Sequence, residues 1–229
     1  MLLPLIAIDG PAGSGKSSTA QAVASRIGVP YLDTGAMYRA VAVAVLNKGI
    51  NPEHKQSVEQ LINRTNFAFK SGAKVTRVWI DNVDVTVKLR SEMVTKAVGP
   101  VCEISSIRRM LVDMQRAWAG RGFGVMEGRD IGTVVLPNAG LKIYLIARSE
   151  IRAQRRSKDL GIKGDELRLK KLAEDIAARD KRDMSRQDSP LRQADDAVII
   201  DTSDLSFKEQ VDYIVKLVGE RFGIIVYGS

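Results

Sequence analysis

The segment "IDGPAGSGKSST" (residues 8–19) decides the fold, because it joins an apolar strand to a helix through a glycine-rich turn. Residues 10–17 match the pattern G-x-x-x-x-G-K-[ST], in which backbone N–H groups and a helix N-terminus surround phosphate oxygens. In this pattern Lys16 reaches the β- and γ-phosphates and the Ser17 hydroxyl binds Mg²⁺. We therefore predict a nucleoside triphosphate site made of nine consecutive residues: Gly10, Pro11, Ala12, Gly13, Ser14, Gly15, Lys16, Ser17 and Ser18.

The composition is typical of a soluble globular protein. Its 229 residues suffice for one α/β domain with an inserted subdomain. No apolar run approaches the roughly 20 residues of a membrane span, and the single cysteine, Cys102, fits a reducing compartment. The net charge is +8, and residues 148–192 carry 14 Lys and Arg against 9 Asp and Glu. This arginine-rich excess favours phosphate partners; the alternative is a basic surface without a specific partner.

Apolar runs alternate with helical patterns along most of the chain, which predicts βαβ units and a parallel sheet flanked by helices. The predicted strands are 5–9, 30–33, 124–127, 142–146 and 197–201. The predicted helices are 16–27, 35–48, 104–118, 150–160, 166–182 and 206–221. Helix stops are expected at Gly28, Gly49 and Gly161, and N-caps at Asp165 and Ser206.

Residues 65–88 read differently, since apolar and polar residues alternate there and "SG" and "DN" signal turns. This pattern predicts an antiparallel hairpin or a three-stranded sheet. We therefore expect a single domain, 1–229, whose core (1–62 and 99–229) is interrupted by an inserted subdomain at about 63–98.

The segment "YLDTGAMYR" (31–39) leaves the second predicted strand and enters a helix. Asp33 and Thr34 stand at the carboxyl end of that strand, where ligands bind in open α/β sheets. Tyr38 and Arg39 follow one helical turn later. A cap on the helix, made by Thr34, is the alternative reading of the same residues.

Three further segments carry candidate phosphate ligands. Arg129 and Asp130 in "GVMEGRDIGTVVLP" (124–137) follow a buried strand and reach the same sheet edge, unless they form a surface ion pair. Arg179, Asp183 and Arg186 are spaced to share one helical face, where a solvated ion ladder is the alternative. A basic cluster before a glycine-bounded loop suits a mobile lid at about 152–166; it consists of Arg152, Arg155 and Arg156.

The chemistry of the acceptor follows from these residues. A hydroxyl acceptor usually needs a base, and Asp33 is the one clear candidate. A phosphate acceptor needs none, because its second pKa is about 6; it needs several cations instead. The abundance of arginine favours a phosphate acceptor and hence a nucleoside monophosphate kinase.

Four motifs in this order, "GPAGSGKSS", "LDTGAMYR", "EGRDIGTVVLPNA" and "RDKRDMSR", make essentially the whole chain resemble bacterial cytidylate kinase. The resemblance implies a phosphate-loop (P-loop) NTPase-type fold with a monophosphate-binding insert and a short helical lid. It also implies transfer of the γ-phosphoryl group of ATP, with Mg²⁺, to CMP or dCMP, and Lys16, Arg129 and Arg186 as catalytic residues.

The resemblance further assigns the acceptor site. Thr34, Arg39, Arg129 and Arg186 would line the phosphate cradle, Tyr38 would shape the site, Arg179 and Asp183 would hold the ribose, and Arg108 and Asp130 would read the base. One departure is Gly99, where the family pattern has a serine that touches the base. We expect the preference for cytosine to survive, relaxed toward UMP.

Three other functions remain as alternatives: a kinase of a hydroxyl substrate with Asp33 as base, a nucleic-acid-stimulated ATPase, and a nucleotide sensor without catalysis. Few aromatic residues, 5% of the chain, argue against base stacking along a nucleic acid. We expect a cytoplasmic monomer that has small-molecule substrates and neither nucleic-acid nor membrane partners.

Overall fold

A five-stranded parallel sheet has the strand of the glycine-rich turn at its centre. The computed structural model describes residues 5–72, 75–161 and 166–223. In these residues the chain forms eight strands: β1 (Leu5–Asp9), β2 (Tyr31–Asp33), β3 (Phe67–Lys70), β4 (Arg77–Ile80), β5 (Val83–Asp84), β6 (Gly124–Gly128), β7 (Leu141–Ile146) and β8 (Val198–Asp201). The sheet order is β2-β6-β1-β7-β8, with every pair parallel. The five predicted strands are confirmed, each end lying within one residue of its prediction.

Helices cover both faces of this sheet. The described residues form eight α-helices: α1 (Lys16–Ile27), α2 (Thr34–Asn47), α3 (Lys55–Ile62), α4 (Glu92–Cys102), α5 (Ser105–Ala119), α6 (Ser149–Asp159), α7 (Glu166–Ser185) and α8 (Phe207–Phe222). They also form a 3₁₀-helix at Thr86–Arg90 and a π-helical turn at Ile131–Val135. One buried cluster joins α2, α4 and α5 to the small antiparallel sheet, and a second lies under α1 and α8.

The helix stops and the cap at Ser206 follow the prediction. Gly28, Gly49 and Gly161 have φ values of 72°, 66° and 65°, the left-handed conformation of a helix stop. Ser206 begins α8 with a capping box, in which its side chain and that of Glu209 bond each other's backbone N–H. Asp165, the other predicted cap, lies outside the described residues. No helix in the described ranges is long and apolar enough to cross a membrane.

Helices α3 and α4 were not predicted. In α4 the pair Gly99-Pro100 reads as a helix breaker, yet the helix runs two residues past the proline. Pro100 lacks only one backbone N–H, and its cost is offset because Val94 and Val101 are buried against α2. Burial of one helical face therefore overrides the local breaker signal.

The stretch read as antiparallel forms a three-stranded sheet in the order β3-β4-β5. The "DN" turn between β4 and β5 has positive φ at both residues, 47° at Asp81 and 68° at Asn82, as a tight hairpin requires. This sheet is tied to the large one by a hydrogen bond from the Asp33 N–H to Thr76 Oγ1, 3.0 Å long. Residues 73–74 of the stretch lie outside the described ranges.

Candidate active site

The glycine-rich turn between β1 and α1 forms a backbone cradle. Gly13 and Gly15 have φ values of 75° and 89°, which side chains disfavour. Glycine is required at position 10 for lack of space, because a Cβ there would lie 2.2 Å from the carbonyl oxygen of Leu145. The turn can therefore curl tightly enough for successive N–H groups to point inward.

Lys16 lies inside this cradle and is only 8% exposed. Its ammonium group donates to the Pro11 carbonyl, 3.1 Å away. Burial, together with the positive charge of Arg129, lowers the pKa of Lys16 to about 7. A nearby anion would reverse this shift, so the electrostatics of the turn favour a bound phosphate.

Glu127, at the carboxyl end of β6, is a site residue that the sequence reasoning missed. It accepts hydrogen bonds from Ser17 Oγ at 2.7 Å and from the Tyr31 hydroxyl at 3.3 Å. Burial, assisted by the charge of Asp33, raises the pKa of Glu127. The signal was present in "VMEG" (125–128): an acid ends a fully buried strand next to the strand of the glycine-rich turn.

The Ser17 hydroxyl and the Glu127 carboxylate fit a Mg²⁺ ion that arrives with a nucleotide. Both are oxygen donors, and a cation beside Glu127 would stabilise the charge that burial disfavours. Among the described residues no three His, Cys, Asp or Glu side chains converge to form a metal cage by themselves. Mg²⁺ suits such a sparse site, because it usually binds one or two protein ligands and completes its shell with phosphate oxygens and water.

Asp183 connects two of the predicted phosphate ligands. Its carboxylate accepts from Arg129 Nε at 2.8 Å and also pairs with Arg186. Arg129 Nη1 in turn donates to the Gly10 carbonyl, 2.9 Å away. The ion-pair alternative for Arg129 and Asp130 is therefore wrong, since the two side chains bind different partners. Arg186 lies one residue beyond the end of α7 rather than within it, but keeps its contact with Asp183.

Arg179 adds positive charge to the same cluster. Among the described residues it forms no salt bridge; Asp183 attracts it at longer range, and Arg129 and Arg39 repel it. Burial and the charge of Arg129 lower its pKa to about 10. The cluster thus holds more cationic charge than its carboxylates neutralise, which is the requirement for an anion-binding site.

The cap of α2 lies at Asp33 and not at Thr34, the residue that the cap alternative named. Asp33 is the cap of α2: its Oδ1 accepts from the Ala36 N–H at 2.9 Å, and its Oδ2 pairs with Arg39 at 2.9 Å. Thr34 is the first helical residue, and its hydroxyl donates to the Glu127 carbonyl, 2.8 Å away. The prediction of a cap made by Thr34 is therefore wrong.

Arg108 and Asp130 form a buried salt bridge of 2.7 Å, and they are only 3% and 4% exposed. The Arg108 guanidinium also lies over the Tyr38 ring, 5.1 Å from its centre. Arg108 Nε and the Tyr38 hydroxyl are buried without a hydrogen-bond partner in the described residues. Buried polar atoms of this kind are usually satisfied by protein, water or ligand.

A cleft of about 340 Å³ opens beside this pair, near the lower end of the range for small-molecule sites. Arg108, Arg182 and Arg186 line it together with Cys102. Gly99 lies at its edge, where an added Cβ would be 3.4 Å from Arg182 Nη1. The cleft therefore extends from Arg108 of this salt bridge to Arg186 of the cationic cluster.

The turn that carries Asp130 is fixed from β1. Asp9, at the end of β1, accepts from the backbone N–H groups of Ile131 and Gly132 at 3.0 and 2.7 Å. Burial raises the pKa of Asp9 to about 7, despite these two bonds. The strand that leads into the glycine-rich turn thus also holds the loop that carries Asp130.

The arginines of α6 contact the cradle itself. Arg152 Nη1 donates to the Ala12 carbonyl at 3.1 Å, and Arg155 Nη1 donates to the Ser14 carbonyl at 3.3 Å and to Thr202 Oγ1 at 2.9 Å. Arg156 is partly exposed on the same helix. Residues 162–165 of the predicted lid lie outside the described ranges.

Comparisons with known proteins identify the family. A family model described as cytidylate kinase matches residues 6–220. A cytidylate kinase from Geobacillus sp. (strain WCH70) is 44% identical over 218 residues, which are 95% of this chain and 97% of the relative.

Two other comparisons add context. A bifunctional pantoate ligase/cytidylate kinase from Synechococcus sp. (strain JA-3-3Ab) is 46% identical over 217 residues, or 93% of this chain, which spans only 40% of that relative. The solved structure of a gluconokinase from Sinorhizobium meliloti 1021 superposes with a TM-score of 0.50 at 14% identity, over 96% of this chain and 93% of that one. At this identity the likeness concerns the fold alone.

Proposed function

This chain belongs to the cytidylate kinase family, and on that premise we propose that it transfers the γ-phosphoryl group of ATP to CMP or dCMP, giving ADP and CDP or dCDP. The observation that carries the choice of nucleobase is the buried pair formed by Arg108, which lines the cleft, and Asp130, to which it is bonded. It offers a guanidinium donor and a carboxylate acceptor side by side, in a place shielded from water.

The donor half is the cradle of residues 10–18. Lys16 and the N–H groups of the cradle, other than that of Ala12, which is bonded to Asp180, would bind the ATP phosphates, and Ser17 with Glu127 would hold the Mg²⁺ ion. The bound ion supplies neutralisation of charge on the β- and γ-phosphate oxygens. Lys16 keeps its proton once phosphate is near, because the added negative charge raises its pKa.

The acceptor half is the arginine cluster. Arg39, Arg129 and Arg186 hold the phosphate of the monophosphate, and Arg179 with Asp183 holds the ribose. No general base is required, because the attacking phosphate is largely ionised at pH 7. The arginines instead hold two anions close together, and this positioning is the main catalytic contribution in phosphoryl transfer.

The alternative of a hydroxyl acceptor with Asp33 as base is disfavoured by the bonding of Asp33. Both of its carboxylate oxygens are engaged, one by the Ala36 N–H and the other by Arg39. A base must be free to accept a proton from its substrate. The variant Asp33→Asn should therefore retain measurable kinase activity with CMP, whereas the alternative requires complete loss.

Cytosine matches the pair at the cleft wall. Its N4 amine donates, as Asp130 requires, and its ring nitrogen and O2 accept from Arg108. Uracil carries O4 in place of the amine, so Asp130 would face an oxygen. A site built around a hydrogen bond discriminates strongly against an analogue that leaves the buried group unpaired.

We further propose that the protein works as a cytoplasmic monomer on these small substrates, without a nucleic-acid partner. The test of the whole proposal is a coupled assay of ADP release with CMP, dCMP, UMP, AMP and GMP. CMP and dCMP should give the highest kcat/KM. Equal kcat/KM for CMP and UMP would contradict the base-reading pair, and ADP release that rises with RNA but not with CMP would contradict the kinase itself.

A further inference from the structure

Asp180, on α7, is a buried carboxylate to which the reaction described above gives no role. It lies at the outer side of the phosphate cradle and is only 6% exposed. Its Oδ1 accepts from the Ala12 N–H at 2.9 Å, and its Oδ2 pairs with the Arg152 guanidinium. A buried carboxylate is costly unless it is paired and hydrogen-bonded, and Asp180 satisfies both conditions through the cradle and α6.

The three groups close a ring around one residue of the cradle, Ala12. Asp180 accepts from the N–H of Ala12, Arg152 donates to the carbonyl of the same residue, and Asp180 and Arg152 pair with each other. Both polar groups of this residue are thereby fixed by side chains from two different helices. A glycine-rich turn has high conformational freedom, so bonds of this kind limit the shapes that the cradle can adopt.

Packing supports the same connection. Ala12 belongs to a small apolar cluster with Ala153 of α6 and Ile176 of α7. A Cβ on Gly13 would lie 3.1 Å from Cβ of Arg152, so α6 and the cradle are in close contact. Helices α6 and α7 therefore rest directly on the turn that binds the triphosphate.

We propose that Asp180 is a positioning residue for the donor nucleotide: by holding the Ala12 peptide and Arg152 together, it keeps the phosphate cradle in its binding shape and in register with α6 and α7. Asp180 acts through these two neighbours and does not itself touch the phosphates, which its charge would repel. The proposal rests on the proposed function only in that the ligand of the cradle is ATP.

The test is binding of a non-hydrolysable ATP analogue, AMP-PNP with Mg²⁺, and separately of CMP, measured by titration calorimetry. Asp180→Ala should raise the Kd for the analogue by about tenfold to a hundredfold, as expected for the loss of hydrogen bonds that involve charged groups. Asp180→Asn can still accept from the Ala12 N–H but cannot neutralise Arg152, so its Kd should fall between those of wild type and Asp180→Ala. The Kd for CMP should change less than twofold in both variants.

A matched control is Asp175→Asn, which removes the charge of an exposed aspartate on the same helix and should leave both affinities unchanged. A double-mutant cycle with Arg152→Gln adds a second measurement. The losses of analogue affinity in Arg152→Gln and Asp180→Ala should add to more than the loss in the double variant, because the two residues act through one ring of bonds. If Asp180→Ala does not fold, the nearly isosteric Asp180→Asn carries the test.

Three results would overturn the proposal: analogue affinity within twofold of wild type in Asp180→Asn and Asp180→Ala, tighter analogue binding in either variant, or equal losses for the analogue and for CMP. The last would indicate general damage to the fold. Because the readout is analogue binding, it is independent of whether CMP is the acceptor, and a wild-type enzyme inactive with CMP would contradict the proposed function alone.

Discussion

Replacement of Asp130 by asparagine tests the base-reading pair directly. The substitution keeps the shape of the side chain and removes its charge. The amide oxygen can still accept a hydrogen bond from Arg108, whose Nη2 lies 2.7 Å from Asp130 Oδ2. Arg108 is only 3% exposed. The amide nitrogen must then face the ligand, so a group that accepted a hydrogen bond from cytosine now donates one.

The expected change in selectivity follows from these two effects. For CMP the variant loses a bond to a charged acceptor, worth about 1.5–3 kcal/mol. For UMP it gains a neutral bond to O4, worth about 0.5–1.5 kcal/mol. Since about 1.36 kcal/mol is a factor of ten in rate, the ratio of kcat/KM for CMP over UMP should fall by about 30-fold to about 2000-fold.

The same substitution weakens the fold, because Arg108 keeps its charge in a buried place without an ionised partner. Removal of one member of a buried pair costs about 3–5 kcal/mol, and the remaining amide oxygen offsets part of that cost. For a chain of this length the Tm falls by about 2–4 °C for each kcal/mol lost. Thermal melts of Asp130→Asn should therefore show a clear decrease in Tm.

The assay is ADP release with CMP and with UMP, at a temperature where the melt shows the variant to be folded. Asp113→Asn is the matched control, since Asp113 is exposed on α5, the helix that carries Arg108. The control should keep the wild-type ratio of CMP to UMP. An unchanged ratio in Asp130→Asn would refute the reasoning, because it would mean that Asp130 does not face the nucleobase.

Three other predictions concern buried charges. Glu127→Gln should raise the Mg²⁺ concentration for half-maximal activity by about tenfold to a hundredfold, with the KM for CMP unchanged; an unaltered Mg²⁺ requirement would contradict its role. Because the pKa of Lys16 is about 7, ATP binding at pH 8 should take up a proton, seen by calorimetry in buffers of different ionisation enthalpy, and Lys16→Met should abolish the uptake. The pKa of Asp9 is raised to about 7 in the folded protein. Its contribution to stability is therefore present below about pH 4 and is lost as the pH rises to about 7. The decrease in Tm from pH 5 to pH 7 should be smaller in Asp9→Asn than in wild type.

Much of the fold and part of the site could be predicted from sequence, because the relevant signals are local. The helix after the glycine-rich turn begins at Lys16 and ends at Ile27 as its pattern indicates. The closeness of Arg108 and Asp130 was expected only through the family resemblance, since the residues come from different elements, and their salt bridge agrees with it.

The missed features depend on contacts between distant parts of the chain. Glu127 is next to Ser17 only because β6 pairs with β1. In the sequence Asp180 is indistinguishable from the other charged residues of a solvated helix; its contact with the cradle is visible only in the structure. Helix α4 forms in spite of Gly99 and Pro100 because one of its faces is buried against α2. A single sequence carries no periodic or local signal for the contacts of Asp180 and α4, and the buried-strand signal at Glu127 does not identify Ser17 as its partner.

The register between β1 and β6 has a consequence for how this enzyme can evolve or be engineered. Ile8 pairs with Glu127 and Asp9 with Gly128, so the glycine-rich turn and the loop after β6 leave the sheet level with each other. Exchanging the loop after β6 with that of a relative could retune the choice of nucleobase and leave the triphosphate site intact. A one-residue insertion within β6 would instead turn Glu127 to the opposite face of the sheet and misplace both loops at once. New specificity at this edge can thus arise by substitution, but not by a change in the length of the strand.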